Sequence, residues 1–266
     1  MKGRAADEWA RSYVLTEGGE VDVNSPNGGV EVEAADGDTV DVRANRIAHA
    51  TSDQAAAEIL PRISIKEDVS PEKIALRTEP LGGIVIGVSV EVHYHVRAPR
   101  SATIRARAVN GRLTVKGFTG RVILTGVKGG VTAEALSGSV EVRSTNAPAR
   151  IAIASFKADL VDIRVTNGSL RLTLPDTANA NLNASATNGT IDVSALNLEK
   201  LGDQTGRRVR GRLNAGGAPI ELVSVNGNIT VESAPASPGP ANSAPAKPAP
   251  ANAAPSIQNP KPGTRP

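Results

Sequence analysis

VNGRLTVKGFTGRVILTGVKGGVTAEALSGSVEVRSTNA, residues 109–147, repeats itself on two scales. Gly111, Gly120, Gly129 and Gly138 stand nine residues apart, and each precedes a short alternating run: RLTV, RVIL, GVTA and SVEV. Alternation with period two predicts half-buried strands, with Val122 and Leu124, Val131 and Ala133, and Val140 and Val142 turned to one side. Over this runs a longer beat of a β-branched residue, Asn and usually Gly. It falls at Asn110, Asn146, Asn167, Asn188 and Asn226, which stand 36, 21, 21 and 38 residues apart. Counting the first and last gaps as two coils each gives a coil of about 18–21 residues, with two strands and two turns. Val127-Lys128-Gly129 fills the first missing rung.

The fold expected is therefore an all-β solenoid. Coils stacked at about 4.8 Å would bring the asparagines into one column, hydrogen-bonded as a ladder inside the turn. The turn glycines, Gly111, Gly120, Gly129, Gly138, Gly168, Gly189 and Gly227, are assigned to positive φ. An antiparallel sandwich with Asn-Gly hairpins is the competing reading. Hairpins, however, do not require one spacing to recur over more than a hundred residues, as a stack does.

Gly28 and Gly37 show the same nine-residue step ahead of VEVE and VDVR, so the N-terminal part is expected to form the first coils. One helix, about 52–60, interrupts the pattern. Thr51 and Gln54 supply a capping box, Ala56, Ile59 and Leu60 an apolar stripe, and Pro61 the stop. It reads as a cap over an open end of the stack. The β domain spans 1–233. Residues 234–266, with ten of the 18 prolines, form a disordered Pro/Ala-rich tail that cannot pack a core.

Apolar residues make up 39% of the chain but aromatics only 2%, so the core must be narrow and filled by Val, Ile, Leu and Ala. Absence of cysteine removes disulfides and thiolate metal sites. Without the tail's Lys247, Lys261 and Arg265, 27 basic residues face 27 acidic ones. No basic, aromatic-interleaved footprint points to nucleic acid. LGGIVIGV, the longest apolar run, is too short for a membrane span. The opening MKGRAADEWARSY has no apolar h-region, so no secretory signal is legible there; the protein is either cytoplasmic or has lost a signal.

Several stretches resemble a bacterial domain-of-unknown-function family of β-strand-repeat proteins labelled as candidate adhesins. They are DEWARSYVL, NGGVEVEA, SDQAAAEIL, VEVHYHVRAPRSATI, and then VNGRLTV, TNGSLRL, TNGTIDV and VNGNITV, over most of residues 7–232. The resemblance implies an exported, right-handed β-solenoid of the cell envelope, with no established enzymatic activity and no agreed binding residues to carry over. The chain departs from the pattern in showing no export signal and in having Ala147, followed by Pro148, where Gly is usual.

Candidate chemistry is thin. His93 and His95 share a strand face, and only His49 could add a third imidazole, so a polar outer face outweighs a metal site. Asp36, Asp38 and Asp41 offer hard oxygens for Ca²⁺ but lack the full loop pattern. Arg207, Arg208, Arg210 and Arg212 could grip phosphate or an anionic glycan, although alternation explains them as a solvated face. No Ser, His and acid grouping suggests a nucleophile, and no cofactor is implied. The function expected is a non-catalytic, adhesin-like envelope module with a surface glycan or envelope protein as partner. The alternatives are a polysaccharide-binding or polysaccharide-cleaving solenoid, favoured by acids clustered with Arg, and a self-assembling scaffold, favoured by an open stack end.

Overall fold

A computed structural model describes residues 3–82, 87–203 and 205–234. The tail expected beyond Ala234 lies outside the described residues, as do 83–86 of the LGGIVIGV run. The first strands are β1 (Gly3–Val14), β2 (Glu20–Asn27), β3 (Val30–Ala35) and β4 (Thr39–Ala50); helix α1 (Asp53–Ile59) follows, then β5 (Ile65–Ser70), β6 (Lys73–Thr78) and β7 (Ser89–Pro99). The middle runs through β8 (Thr103–Asn110), β9 (Leu113–Lys116), β10 (Val122–Lys128), β11 (Val131–Leu136), β12 (Val140–Asn146), β13 (Ala149–Ile153), β14 (Val161–Asn167) and β15 (Leu170–Pro175). The last are β16 (Ala180–Asn188), β17 (Ile191–Asp192), β18 (Leu198–Lys200), β19 (Arg208–Leu213), β20 (Ala218–Asn226) and β21 (Ile229–Ala234).

These strands form two sheets. Sheet A runs β1-β4-β7-β3-β9-β11-β13-β15-β21-β17, and sheet B runs β18-β19-β16-β20-β14-β12-β10-β8-β2-β6-β5. In the middle the chain alternates between them, one strand in B and the next in A, and each returns beside its predecessor in parallel. Ile104 pairs with Val122, Val122 with Val140, and Val140 with Val161, which gives successive steps of 18, 18 and 21 residues. The alternation dictates the packing. Ile104, Ala106 and Ala108 of β8 are buried while Arg105 and Arg107 between them are exposed. Each fully buried Val, Leu or Ile contributes about 1.5–3 kcal/mol, and the space between the sheets is filled mainly by these and Ala.

Both ends depart from simple succession. The coil β2–β3 lies between β6–β7 and β8–β9, and β20–β21 slots between β14–β15 and β16–β17. The 38 residues from Asn188 to Asn226 are thus not two stacked coils: they hold β17 and the antiparallel pair β18–β19, which closes sheet B beside β16. VDVR after Gly37 is likewise no coil strand. It belongs to β4, which runs antiparallel to both β1 and β7.

Helix α1 packs beside β1 and β4 at the N-terminal end, burying Ala56 and Ile59. Its N-cap is Ser52, whose Oγ accepts from Ala55 N at 3.2 Å, not Thr51, and Gln54 reaches along the helix to Glu58 instead of back to the cap. Pro61 does not stop the chain's winding. It sits at the start of a 3-10 turn, Leu60–Arg62, where its missing N–H is no loss.

The glycines serve stacking more than φ. Three of the seven, Gly129, Gly168 and Gly227, take positive φ. All seven share another constraint: a Cβ would fall on the backbone of the adjacent rung, that of Gly120 on Ala102 and that of Gly138 on Gly120. Positive φ is therefore not the general reason for glycine here.

Candidate binding surfaces

At one corner the asparagines form a column. Asn167 Nδ2 donates to Asn146 Oδ1 at 2.7 Å, Asn226 Nδ2 to Asn167 Oδ1 at 2.7 Å, and Asn188 Nδ2 to Asn226 Oδ1 at 2.8 Å. The column is exposed on the corner, not enclosed within the turn: the alternation breaks after the inward residue two positions earlier, and both residues that follow it, the Asn included, face out. Asn110 extends the register through Lys128, and Asn27, missed in the sequence, pairs with Asn110. Asn27-Gly28 ahead of VEVE was the signal. Inside the corner one register position holds three serines that sequence reading did not find, spaced by Ala108, Gly126 and Val165. Ser144 Oγ donates to Ala147 O at 2.8 Å and Ser224 Oγ to Gly227 O at 2.9 Å, while Ser25 Oγ reaches Val92 O at 3.0 Å. These serines stand two residues before the asparagine, a spacing visible in the sequence, and all three are buried.

The outer face of sheet B carries charge in columns. Glu141, Asp162 and Glu221 are in register on consecutive strands β12, β14 and β20. Arg143 and Arg164 form the next column. Arg164 Nε lies 2.9 Å from Asp162, Arg121 pairs with Glu141, and Asn183 Nδ2 donates to Glu221 at 2.8 Å. Nearer the N-terminal end, Lys73 Nζ lies 2.8 Å from Glu20, and its hydrogen bond holds that carboxyl below the usual range. Burial pushes the neighbouring Asp22 carboxyl upward, against the nearby Arg77.

On the outer face of sheet A, strands β1, β4, β7 and β3 line a groove of about 1100 Å³. Two rows cross its floor in register: Arg43, His95 and Glu31, then Asp41, Arg97 and Glu33. His95 Nδ1 lies 3.1 Å from Glu31, and Ser12 Oγ donates to Asp41 at 2.6 Å. The floor carries both signs, Arg43 and Arg97 among the acids Asp41, Glu31 and Glu33, which suits a polar ligand with both donors and acceptors more than one of a single charge.

The remaining candidates disperse. Val92, Tyr94 and Val96 are buried, and His93 points outward. His93 Nδ1 accepts from Gly29 N at 3.1 Å, and Nε2 meets Glu91 at 3.2 Å, so both ring nitrogens are engaged. His49 pairs with Ser89, four positions along β4 from the partner of His93. Asp36 is held by Arg100 and Asp41 by Ser12, so these acids do not converge with Asp38. Among the described residues no three His, Cys, Asp or Glu gather as a metal site. Arg208, Arg210 and Arg212 alternate outward on β19, with Arg212 paired to Glu199 at 2.6 Å; Arg207 lies just before the strand. Among the described residues no helix is long and apolar enough to cross a membrane.

Comparison with known proteins follows the same outline. A solved candidate cell adhesion protein from Clostridium sporogenes is similar at 11% identity and a TM-score of 0.51, over 86% of this chain and 100% of that one. A candidate adhesin from Bacteroides fragilis gives 10% identity and a TM-score of 0.35, over 86% and 97%. A candidate lipid binding protein from Parabacteroides distasonis gives 11% and 0.25, over 88% and 97%. At these identities the first shares the fold, and the others carry no argument. No curated protein matches the chain. The family model described as Toastrack, DUF4097, matches residues 11–232, and the chain belongs to that family.

Proposed function

We propose that this protein is a non-catalytic, adhesin-like module of the cell envelope or extracellular space, whose stacked sheets present a repetitive polar surface to a glycan or an envelope protein. The observation that carries this reading is the register of outward side chains. Rows such as Arg43–His95–Glu31 and columns such as Glu141–Asp162–Glu221 repeat at strand spacing on a rigid core. The groove over β1, β4, β7 and β3 is the place of binding in this reading. The coils wind right-handed in it, in keeping with the strong preference of parallel strands joined through a second layer.

Fractionating cells that produce the complete reading frame tests the location, and recovery from cytosol alone refutes it. A glycan and envelope-protein binding panel, repeated with Arg43→Ala and Arg97→Ala, tests the groove; binding that both variants leave unchanged removes it.

A second reading has one observation in its favour. Glu141, Asp162 and Glu221 lie in a row with Arg121, Arg143 and Arg164 around them, as a solenoid acting on polysaccharides would place acids and Arg. Release of product from acidic polysaccharides, abolished by Glu141→Gln with Asp162→Asn, would establish this activity in place of the non-catalytic role.

A further inference from the structure

Among the described residues the two sheets end in four edge strands, and one is unlike the rest. β17 has two residues and β18 three, while β5 carries Lys66, Glu67 and Asp68 among its six. Short or charged edges keep sheets from pairing with other chains. β1 also carries charge, at Arg4, Asp7, Glu8 and Arg11, but it is twelve residues long and pairs with β4 without a break, from Gly3↔Ala50 to Val14↔Thr39. It has no proline and no bulge.

Helix α1 occupies only the beginning of this edge, where Arg4 N donates to Asp53 Oδ1 at 2.9 Å. At the other end Leu15 N donates to Asp38 O on the β4 side at 2.8 Å. Successive N–H groups of a strand point to opposite sides. Ala6, Glu8, Ala10 and Ser12 therefore turn theirs away from β4, toward the open edge. At the middle stands Trp9, the chain's one tryptophan, half-buried, with the Arg11 guanidinium 5.0 Å from its ring centre. A partly covered tryptophan on an unpaired edge is the kind of anchor that self-association buries.

We propose that β1 pairs antiparallel with β1 of a second copy of this chain, centred on Trp9. A twofold axis perpendicular to the sheet keeps inward residues opposite inward residues, so only alternate registers are open. Centring on Trp9 sets the two tryptophans side by side and Ala5 opposite Tyr13, whose hydroxyl donates to Glu67 of its own copy. It also sets Asp7, held within its own copy by Arg46, opposite the Arg11 of the other, whose partner at home is Glu67 at 3.8 Å. Opposite charges across strands stabilise a pair and like charges destabilise it. Centring on Asp7 or Glu8 would set a carboxylate against its own copy, and centring on Ala10 would lose the Asp7–Arg11 match. The sequence of β1 is thus self-complementary about Trp9, and the product is one continuous sheet A running through two molecules.

Light scattering of the full chain over a concentration series reads the assembly directly, and a dimer is expected. Ala10→Pro removes an edge-facing N–H while leaving the β4 side untouched, and it should give a monomer with unchanged circular dichroism. Register is read separately. The chain has no cysteine, so Glu8→Cys and Ala10→Cys chains, made apart and mixed under oxidation, should cross-link to each other several-fold more than either does to itself. A monomer at every concentration, a dimer that survives Ala10→Pro, or cross-linking equal in the mixture and in the separate variants overturns the proposal.

Discussion

Asn188 donates its side-chain N–H to Asn226 at 2.8 Å, although 38 residues separate them and Asn167 is only 21 residues away. Asn226 stands between the other two and bonds to both. The C-terminal coil is thus inserted beneath an earlier one, and the order of rungs in space is not the order of the chain.

Asn167 is an interior rung, like Asn226, since it donates to Asn146 and accepts from Asn226. Asn167→Ala should lower unfolding free energy by on the order of 1 kcal/mol, the scale of solvent-competed hydrogen bonds. Asn110, whose side chain makes no hydrogen bond among the described residues, should tolerate the same change within about 0.5 kcal/mol. Urea denaturation of both variants checks the contrast, and equal losses would deny the ladder any energetic role.

Gly138→Ala places a methyl group on the Gly120 backbone. Overpacking of this sort costs about 1–3 kcal/mol. Gly206→Ala, where a Cβ would meet nothing within 4 Å, should move the melting temperature little. Similar shifts for the two would mean that coil spacing is not what requires glycine.

Tyr94 is buried, and its hydroxyl lies 2.8 Å from Thr78 Oγ1. Burial pushes its pKa up to about 12. A raised folded value means stability that is complete below the ordinary tyrosine value of about 10 and is lost as pH climbs from there to about 12. Tyr94→Phe should remove that alkaline component. At neutral pH it should cost about 1–3 kcal/mol, because Thr78 loses its partner. Melting curves from pH 8 to pH 12 would show the two profiles converging if the assignment holds.

Glu20 behaves in the opposite sense. Its depressed pKa, due first to the Lys73 hydrogen bond, gives stability present above about pH 4.3 and lost as pH falls through the lower folded value. Glu20→Gln should therefore melt below the parent at pH 7, and the gap should close as the pH falls through the depressed folded value. A gap that persists in acid would point to packing instead of charge.

Much of this was legible because one face of each strand is buried, which fixes side-chain direction residue by residue. RLTV, RVIL and SVEV announced their inward valines and leucines, and Thr-Asn-Gly marked the corner. Asn27 and the corner serines were present in the same grammar and passed over. The groove could not be read at all. Arg43, His95 and Glu31 are scattered in the chain, and nothing local says that β4 and β7 will run antiparallel between β1 and β3.

What the sequence alone determined is the unit: a strand, an Asn-Gly corner, a second strand, and the alternation that buries Val, Ile and Leu. What only tertiary structure decided is the order in which units are laid down, the reversal of β4, β5 and β19, and, among the described residues, the edge left open at β1. The physical reason is that every rung offers its neighbours the same backbone hydrogen bonds and nearly the same apolar face. Local pattern therefore specifies that coils stack, while the choice of which stacks on which depends on contacts summed over the whole chain.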